Sequence, residues 1–173
     1  MDSAGLRELQ APLKEKYRNQ PDTAVVTLRA HGDLADGAIA CKVETGRALI
    51  QAGLHPATGG SGLEACSGDM LLEALVACAG VTLKAVATAI DFRLRGGSVT
   101  AEGDLDFRGT LGVDRAAPVG FREIRLAFTL DTDEPADRRE SLLRLTERYC
   151  VVLQTLRTPP MVEATCASKG GAE

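Results

Sequence analysis

Residues 67–87 read SGDMLLEALVACAGVTLKAVA, and the rest of the chain is best understood by what surrounds this stretch. Leu71, Leu72, Leu75, Cys78, Ala79, Thr82, Leu83, Val86 and, just beyond, Ile90 recur at steps of three and four. That spacing gathers them on one side of an α-helix. Glu73 and Lys84 are the charged exceptions. Ser67 is a natural N-cap, and Asp69 falls in the first turn, where negative charge meets the positive end of the helix dipole. Ala74, Ala77, Ala79 and Gly80 are small enough to let neighbouring backbone come close. The stretch predicts a long, largely buried central helix carrying a thiol, Cys78, on its apolar face.

Working outward, SAGLRELQAPLKEKYRNQ at 3–20 predicts an amphipathic helix interrupted by Pro12 and ended by Pro21 and Asp22. TAVVTLRAHG and AIACKVETG, joined by the turn signal DLADG, have the length of paired strands, and RALIQAGL makes a third. HPATGGSG is rich in glycine, but no GKS or GKT follows, so it is not a phosphate-binding loop. Beyond the central helix, DFRLRGGSVTAEGDLDFRG and GFREIRLAFTLDTD alternate apolar and polar residues as half-buried strands do. EPADRRESLLRLTERYC predicts a second helix, with Leu142, Leu145 or Thr146, and Tyr149 turned inward, and PPMVEATCAS a closing strand. The order β-β-β-α-β-β-α-β predicts an α+β fold with antiparallel sheet around one central helix.

Composition narrows the function classes. At 173 residues the chain is long enough for one domain with a real core. Aromatics make up 3%, with no tryptophan, so that core must be aliphatic. A formal net charge of −4 argues against a nucleic-acid partner, which calls for a basic face. No run is expected to span a membrane and the first residues lack a signal-peptide core, so a cytoplasmic protein is the expectation.

The five cysteines are Cys41, Cys66, Cys78, Cys150 and Cys166. An odd, scattered set does not make a secreted disulfide framework, and with only His31 and His55 beside it no zinc pattern forms. Cys41 and Cys166 read as packing residues in strands. Cys66, just before the helix start, reads as structural, although helix-end amides could lower its pKa. Cys78 and Cys150 each have two readings: a small buried hydrophobe, or a reactive thiol that would need an arginine nearby to stabilise its thiolate. Glu64, Asp69 and Glu73 read as a solvated acidic turn rather than a metal site, and neither histidine stands in a Ser-His-Asp order.

Two motifs together raise the redox reading. DMLLEALVACAGVTLKAVA and ERYCVVLQTL resemble the two cysteine segments of the OsmC/Ohr family, the osmotically inducible protein C and organic hydroperoxide resistance proteins. The element order from 23 to 166 resembles it too. The resemblance divides the chain into an N-terminal helical extension, 1–20, and an OsmC-like domain, 21–173. It implies antiparallel sheets wrapped around a long central helix, in an intertwined homodimer with sites at the subunit interface. The implied function is a thiol-dependent peroxidase acting on organic hydroperoxides, with Cys78 peroxidatic, Cys150 resolving, and a lipoyl or thioredoxin-like dithiol restoring both. No metal or other cofactor is implied, and neither nucleic acid nor membrane as a partner.

Family peroxidases also set an arginine and a glutamate beside the first thiol. Arg29 in the first hairpin is the matching arginine, with Arg18 and Arg47 as alternatives. Asp69 is the carboxylate nearest the glutamate's place, where this chain reads Ser67, Gly68, Asp69 instead of proline-glutamate. The proline usual after the second cysteine is Val151 here, which leaves the helix free to run on past Cys150. Two other readings stay open: a thiol-based acyl hydrolase, for which no histidine is placed as base, and a non-catalytic dimer that binds an apolar ligand or senses redox state.

Overall fold

The computed structural model describes residues 3–34, 41–43, 52–63 and 65–166. Its centre is helix α2, Ser67–Ala89, where the three- and four-residue spacing predicted it. Cys66, rather than Ser67, is the residue at its N-cap, a difference of one position. Leu72, Leu75, Val76, Ala79 and Leu83 lose all solvent contact, and they do so against Val99 and Ala101 of the sheet and Leu142 of a neighbouring helix.

The sheet is built from β1 (Val25–Leu34), β2 (Cys41–Val43), β5 (Gly96–Asp106) and β6 (Phe121–Asp131), in the order β2-β1-β5-β6 with every pair antiparallel. Two-residue strands β3 (Ala52–Gly53) and β4 (Ala65–Cys66) pair in parallel just before α2. In β5 the alternation is complete: Val99, Ala101, Gly103 and Leu105 are buried while Thr100, Glu102 and Asp104 are not. On the polar side Arg125 of β6 pairs with Asp104, which also accepts from the Thr27 hydroxyl of β1, so three strands are tied across one face. On the apolar side Gly103 leaves the room that the Phe121 ring fills; a Cβ there would lie 2.4 Å from that ring.

Among the described residues three α-helices follow α2: α3 (Phe107–Thr110), α4 (Ala136–Tyr149) and α5 (Val151–Arg157). Helices α4 and α5 pack on α2. Helix α1, Ser3–Asn19, runs through Pro12 and packs near α3 and the short 3-10 turn Pro56–Thr58.

Two expectations are corrected here, and a third is described only in part. The strand expected at 159–168 does not form: residues 159–166 hold neither helix nor strand, and Met161 and Val162 are almost fully exposed. A strand needs a partner for its backbone groups, and none of the described strands pairs with this segment. Of the expected third strand only Ala52–Gly53 is described as strand, and residues 47–51, Arg47 among them, lie outside the described residues, as do Ala35, Asp36 and Gly37 of the expected DLADG turn; its Asp33 and Leu34 belong to β1. Finally, α2 is long and apolar enough to cross a membrane by length and composition, contrary to the sequence expectation, and half of that window is buried inside the fold.

Candidate functional site

Cys78 sits half-buried midway along α2, and Cys150, fully buried, is the single residue between α4 and α5. The helix does not run on past Cys150. Its backbone is extended, φ −71° and ψ 106°, although no proline follows. The Cys150 N–H closes α4 on the Thr146 carbonyl at 2.9 Å, and the Gln154 N–H opens α5 on the Cys150 carbonyl at 2.9 Å. A new helix start leaves its first amides without intrahelical acceptors. Those of Val151 and Val152 hydrogen-bond to the Cys78 sulfur instead, which is what a proline is not needed to arrange.

These contacts set the two thiols apart. Burial pushes the Cys78 thiol up. Hydrogen bonds from the Val152 N–H, the Cys150 thiol, the Thr82 hydroxyl and the Val151 N–H outweigh it and hold Cys78 below the ordinary thiol value. Burial also acts first on Cys150, and with no comparable set of donors, and with the charge of Cys78 beside it, this thiol is pushed up to about 11. The pair therefore ionises at Cys78, with Cys150 as its neutral partner. The sequence reading asked for an arginine to stabilise such a thiolate; here backbone amides and a hydroxyl supply the stabilisation.

Beside the pair runs an apolar trough of about 730 Å³ between α2, β6, α4 and α5. Leu71 and Leu75 on one wall lie on the turns of α2 that lead to Cys78, and Leu153 and Leu156 on another follow Cys150. Ile124, Leu126 and Phe128 of β6 form the floor. A second cavity of about 400 Å³, lined by His55, Thr58, Cys66 and Ser67, shares Leu71, Gly120 and Phe121 with the first.

The structure brings Cys78 and Cys150 together but leaves the other nominated residues elsewhere. Asp69 stands nine residues before Cys78 on the same helix, roughly 13 Å along its axis. Burial raises its pKa, and the neighbouring charge it senses is His55. The His55 ring is fixed by stacking on Phe107 at 5.0 Å and by accepting the Ala57 N–H at Nδ1. Arg29 lies on β1 in register with Glu102, and its side chain lies outside the described residues, as do Glu64 and the side chains of His31 and Cys41. Arg18 pairs with Glu15 on the exposed side of α1. Cys166 is exposed in the C-terminal segment. Among the described residues no cluster of histidine, cysteine and carboxylate could hold a metal ion. Thr82 and the two valine amides were missed; Thr82 was legible as the residue one turn after Cys78, the amides only from the helix break at Cys150.

A long core helix on an antiparallel sheet, with one thiol mid-helix facing another at a helix junction, defines an α+β protein with a paired-thiol site. The chain belongs to the OsmC-like protein family, whose pattern matches residues 60–165. It is similar in structure to an OsmC-like hydroperoxide resistance protein from Jannaschia sp. CCS1, with a TM-score of 0.60 over 86% of this chain and 97% of that one. At 15% identity that likeness concerns the fold. No curated protein matches the chain.

Proposed function

We propose that this protein is a thiol-dependent peroxidase that reduces organic hydroperoxides through Cys78 and Cys150. The observation that carries the reading is the thiol pair itself, one sulfur stabilised as a thiolate by four hydrogen bonds and the other held neutral beside it. The Cys78 thiolate attacks the peroxide oxygen distal to carbon. The O–O bond breaks, the alcohol leaves with a proton, and Cys78 becomes a sulfenic acid. The Cys150 sulfur then attacks that sulfur, water leaves, and a Cys78–Cys150 disulfide remains. A dithiol of the lipoyl or thioredoxin class reduces it by two exchange steps and is itself oxidised to a disulfide. The working form is a homodimer of OsmC-like domains, 21–173, each preceded by the extension 1–20, in a reducing, cytoplasmic compartment. Arg29 is the arginine assigned to the peroxide. Asp69 is left out of the reacting set because of its distance along α2.

One equivalent of cumene hydroperoxide on fully reduced protein, followed by peptide mass spectrometry, tests this. The expected product is a single Cys78–Cys150 disulfide, absent from Cys78→Ser and Cys150→Ser. Both thiols remaining reduced while the peroxide survives would overturn the proposal.

A further inference from the structure

Helix α5 is held to the body of the protein by little besides the thiol pair. Of its seven residues, Val151–Arg157, only Leu153 is buried, with Val152 and Leu156 half-buried. Beyond it, residues 158–166 are exposed and join no described strand. A helix this short does not stand alone in water. Among the described residues its side chains make two polar ties to α4, both exposed and both to Glu147. The Gln154 amide donates to that carbonyl at 2.7 Å, and Arg157 meets the carboxylate at 2.8 Å.

The first turn of α5 depends on sulfur. Val151, Val152 and Leu153 open the helix, so their N–H groups have no acceptor within it. The N-cap is Cys150, whose side chain has no oxygen to offer. The Cys78 sulfur takes the N–H groups of Val151 and Val152, and the Cys150 sulfur those of Val152 and Leu153. In the reduced pair Cys78 accepts as a thiolate, and a hydrogen bond to an ionised group is about twice as strong as one between neutral groups. A disulfide carries no charge, and neutral divalent sulfur is a weak acceptor. Oxidation therefore removes what the first turn rests on.

We propose that the first turn of α5 is a redox-sensitive clasp, closed by the Cys78 thiolate in the reduced pair and released when Cys78 and Cys150 join. In that step the sulfurs form one bond, and two electrons and two protons pass to the oxidant, a hydroperoxide or a diazene. The inference rests on the pair being the redox centre, as read above, and adds how its state reaches the surface. Cys78 stands midway in a helix of 23 residues, whereas Cys150 is the single non-helical residue between α4 and α5. The movement that joins the sulfurs therefore falls on the junction. Release also answers a problem of access. With α5 closed, Cys150 has no solvent exposure, which bars a dithiol from its sulfur; loosening α5 uncovers the disulfide only once it has formed. Leu153 and Leu156 move with α5, so one wall of the trough loosens in the same step.

Hydrogen–deuterium exchange of the full-length protein, read by mass spectrometry at one fixed pH, tests this. Reduced protein is compared with protein oxidised by one equivalent of cumene hydroperoxide and, separately, by diamide, a diazene that joins thiols without a peroxidase step. Peptides spanning 151–157 are expected to exchange about tenfold faster after either oxidant. Peptides of β5 should not change. Cys78→Ala should exchange fast at 151–157 even when reduced and gain nothing from oxidant. Equal exchange at 151–157 in both states, with the Cys78–Cys150 disulfide present, would overturn the clasp and leave the peroxidase reading standing. Slow exchange in reduced Cys78→Ala, or an equal acceleration in β5, would overturn it as well. Diamide loosening 151–157 while cumene hydroperoxide leaves both thiols reduced would support the clasp and remove the peroxidase reading. No disulfide with either oxidant would overturn both.

Discussion

Cys78 and Cys150 are chemically identical, and burial pushes both in the same direction; the number of donors aimed at each sulfur separates them. Removing donors should therefore move Cys78 back. In Cys150→Ala the neighbouring thiol is lost, and the pH midpoint for alkylation of Cys78 by iodoacetamide, followed by peptide mass spectrometry, should rise. Thr82→Val should move it in the same direction. A midpoint that stays put in both variants would remove these contacts as the cause.

The other thiol makes a prediction about stability. Cys150 has its folded pKa raised to about 11, so the unfolded chain loses that proton first. Its contribution is full below the free-thiol value of about 8.5 and is lost as the pH climbs through about 11. Under reducing conditions, urea unfolding should show wild type losing about 3 kcal/mol relative to Cys150→Ser between about pH 8.5 and 11. Parallel curves would contradict it. At this scale the sequence was partly legible. Cysteines on apolar helix faces can be read from spacing, and the family resemblance paired them. Of the four donors, the two backbone amides could not be read, since their direction depends on where a helix stops.

At the scale of elements, the junction at Cys150 is the decisive feature. Its ψ of 106° is the extended conformation that a residue before proline adopts anyway, and Val151 is the first residue of α5, where proline is well tolerated. Val151→Pro should accordingly fold, with stability within about 1 kcal/mol of wild type. It nevertheless removes the Val151 N–H from Cys78, so the Cys78 alkylation midpoint should rise while the melting temperature stays close to wild type. A collapse in stability would show that the junction is less open than its geometry indicates. The expectation that valine lets the helix continue failed because local propensity is weak against tertiary partners, here a sulfur that accepts the freed amides. Helix α2 was legible because its spacing is long and regular. The closing strand was misread because apolar, β-prone residues such as Met161 and Val162 specify a strand only where an edge receives them. The β-bulge that leaves Arg122 of β6 without a partner, between Phe121 opposite Leu105 and Glu123 opposite Asp104, was hidden for a related reason: a bulge exists only in the pairing of β6 with β5.

At the scale of the whole molecule, helix α1 is tied to the turn that precedes α2. Tyr17 of α1 is 3% exposed, and its hydroxyl donates to the Ala57 carbonyl at 2.7 Å; the Gln10 amide donates to the Thr58 carbonyl at 3.3 Å. These bonds hold the 55–58 turn, whose His55 and Thr58 line the cavity that Cys66 also lines. The thiol pair belongs to the middle of α2, so bracing by α1 and tuning of Cys78 should be separable. Tyr17→Phe keeps the ring and leaves the Ala57 carbonyl short of a donor, a loss of about 1 kcal/mol. Tyr17→Ala also empties the ring's site and should cost about 3 kcal/mol. In that second variant Cys66 should be alkylated faster while the Cys78 midpoint is unchanged, because the Tyr17 and Gln10 bonds end on the 57–58 turn, whereas the donors to Cys78 come from α2 and the α4–α5 junction. If the Cys78 midpoint moved as far as the Cys66 rate, the start and the middle of α2 would be coupled, and α1 would have to be counted as part of the thiol site rather than as a brace on the start of the helix.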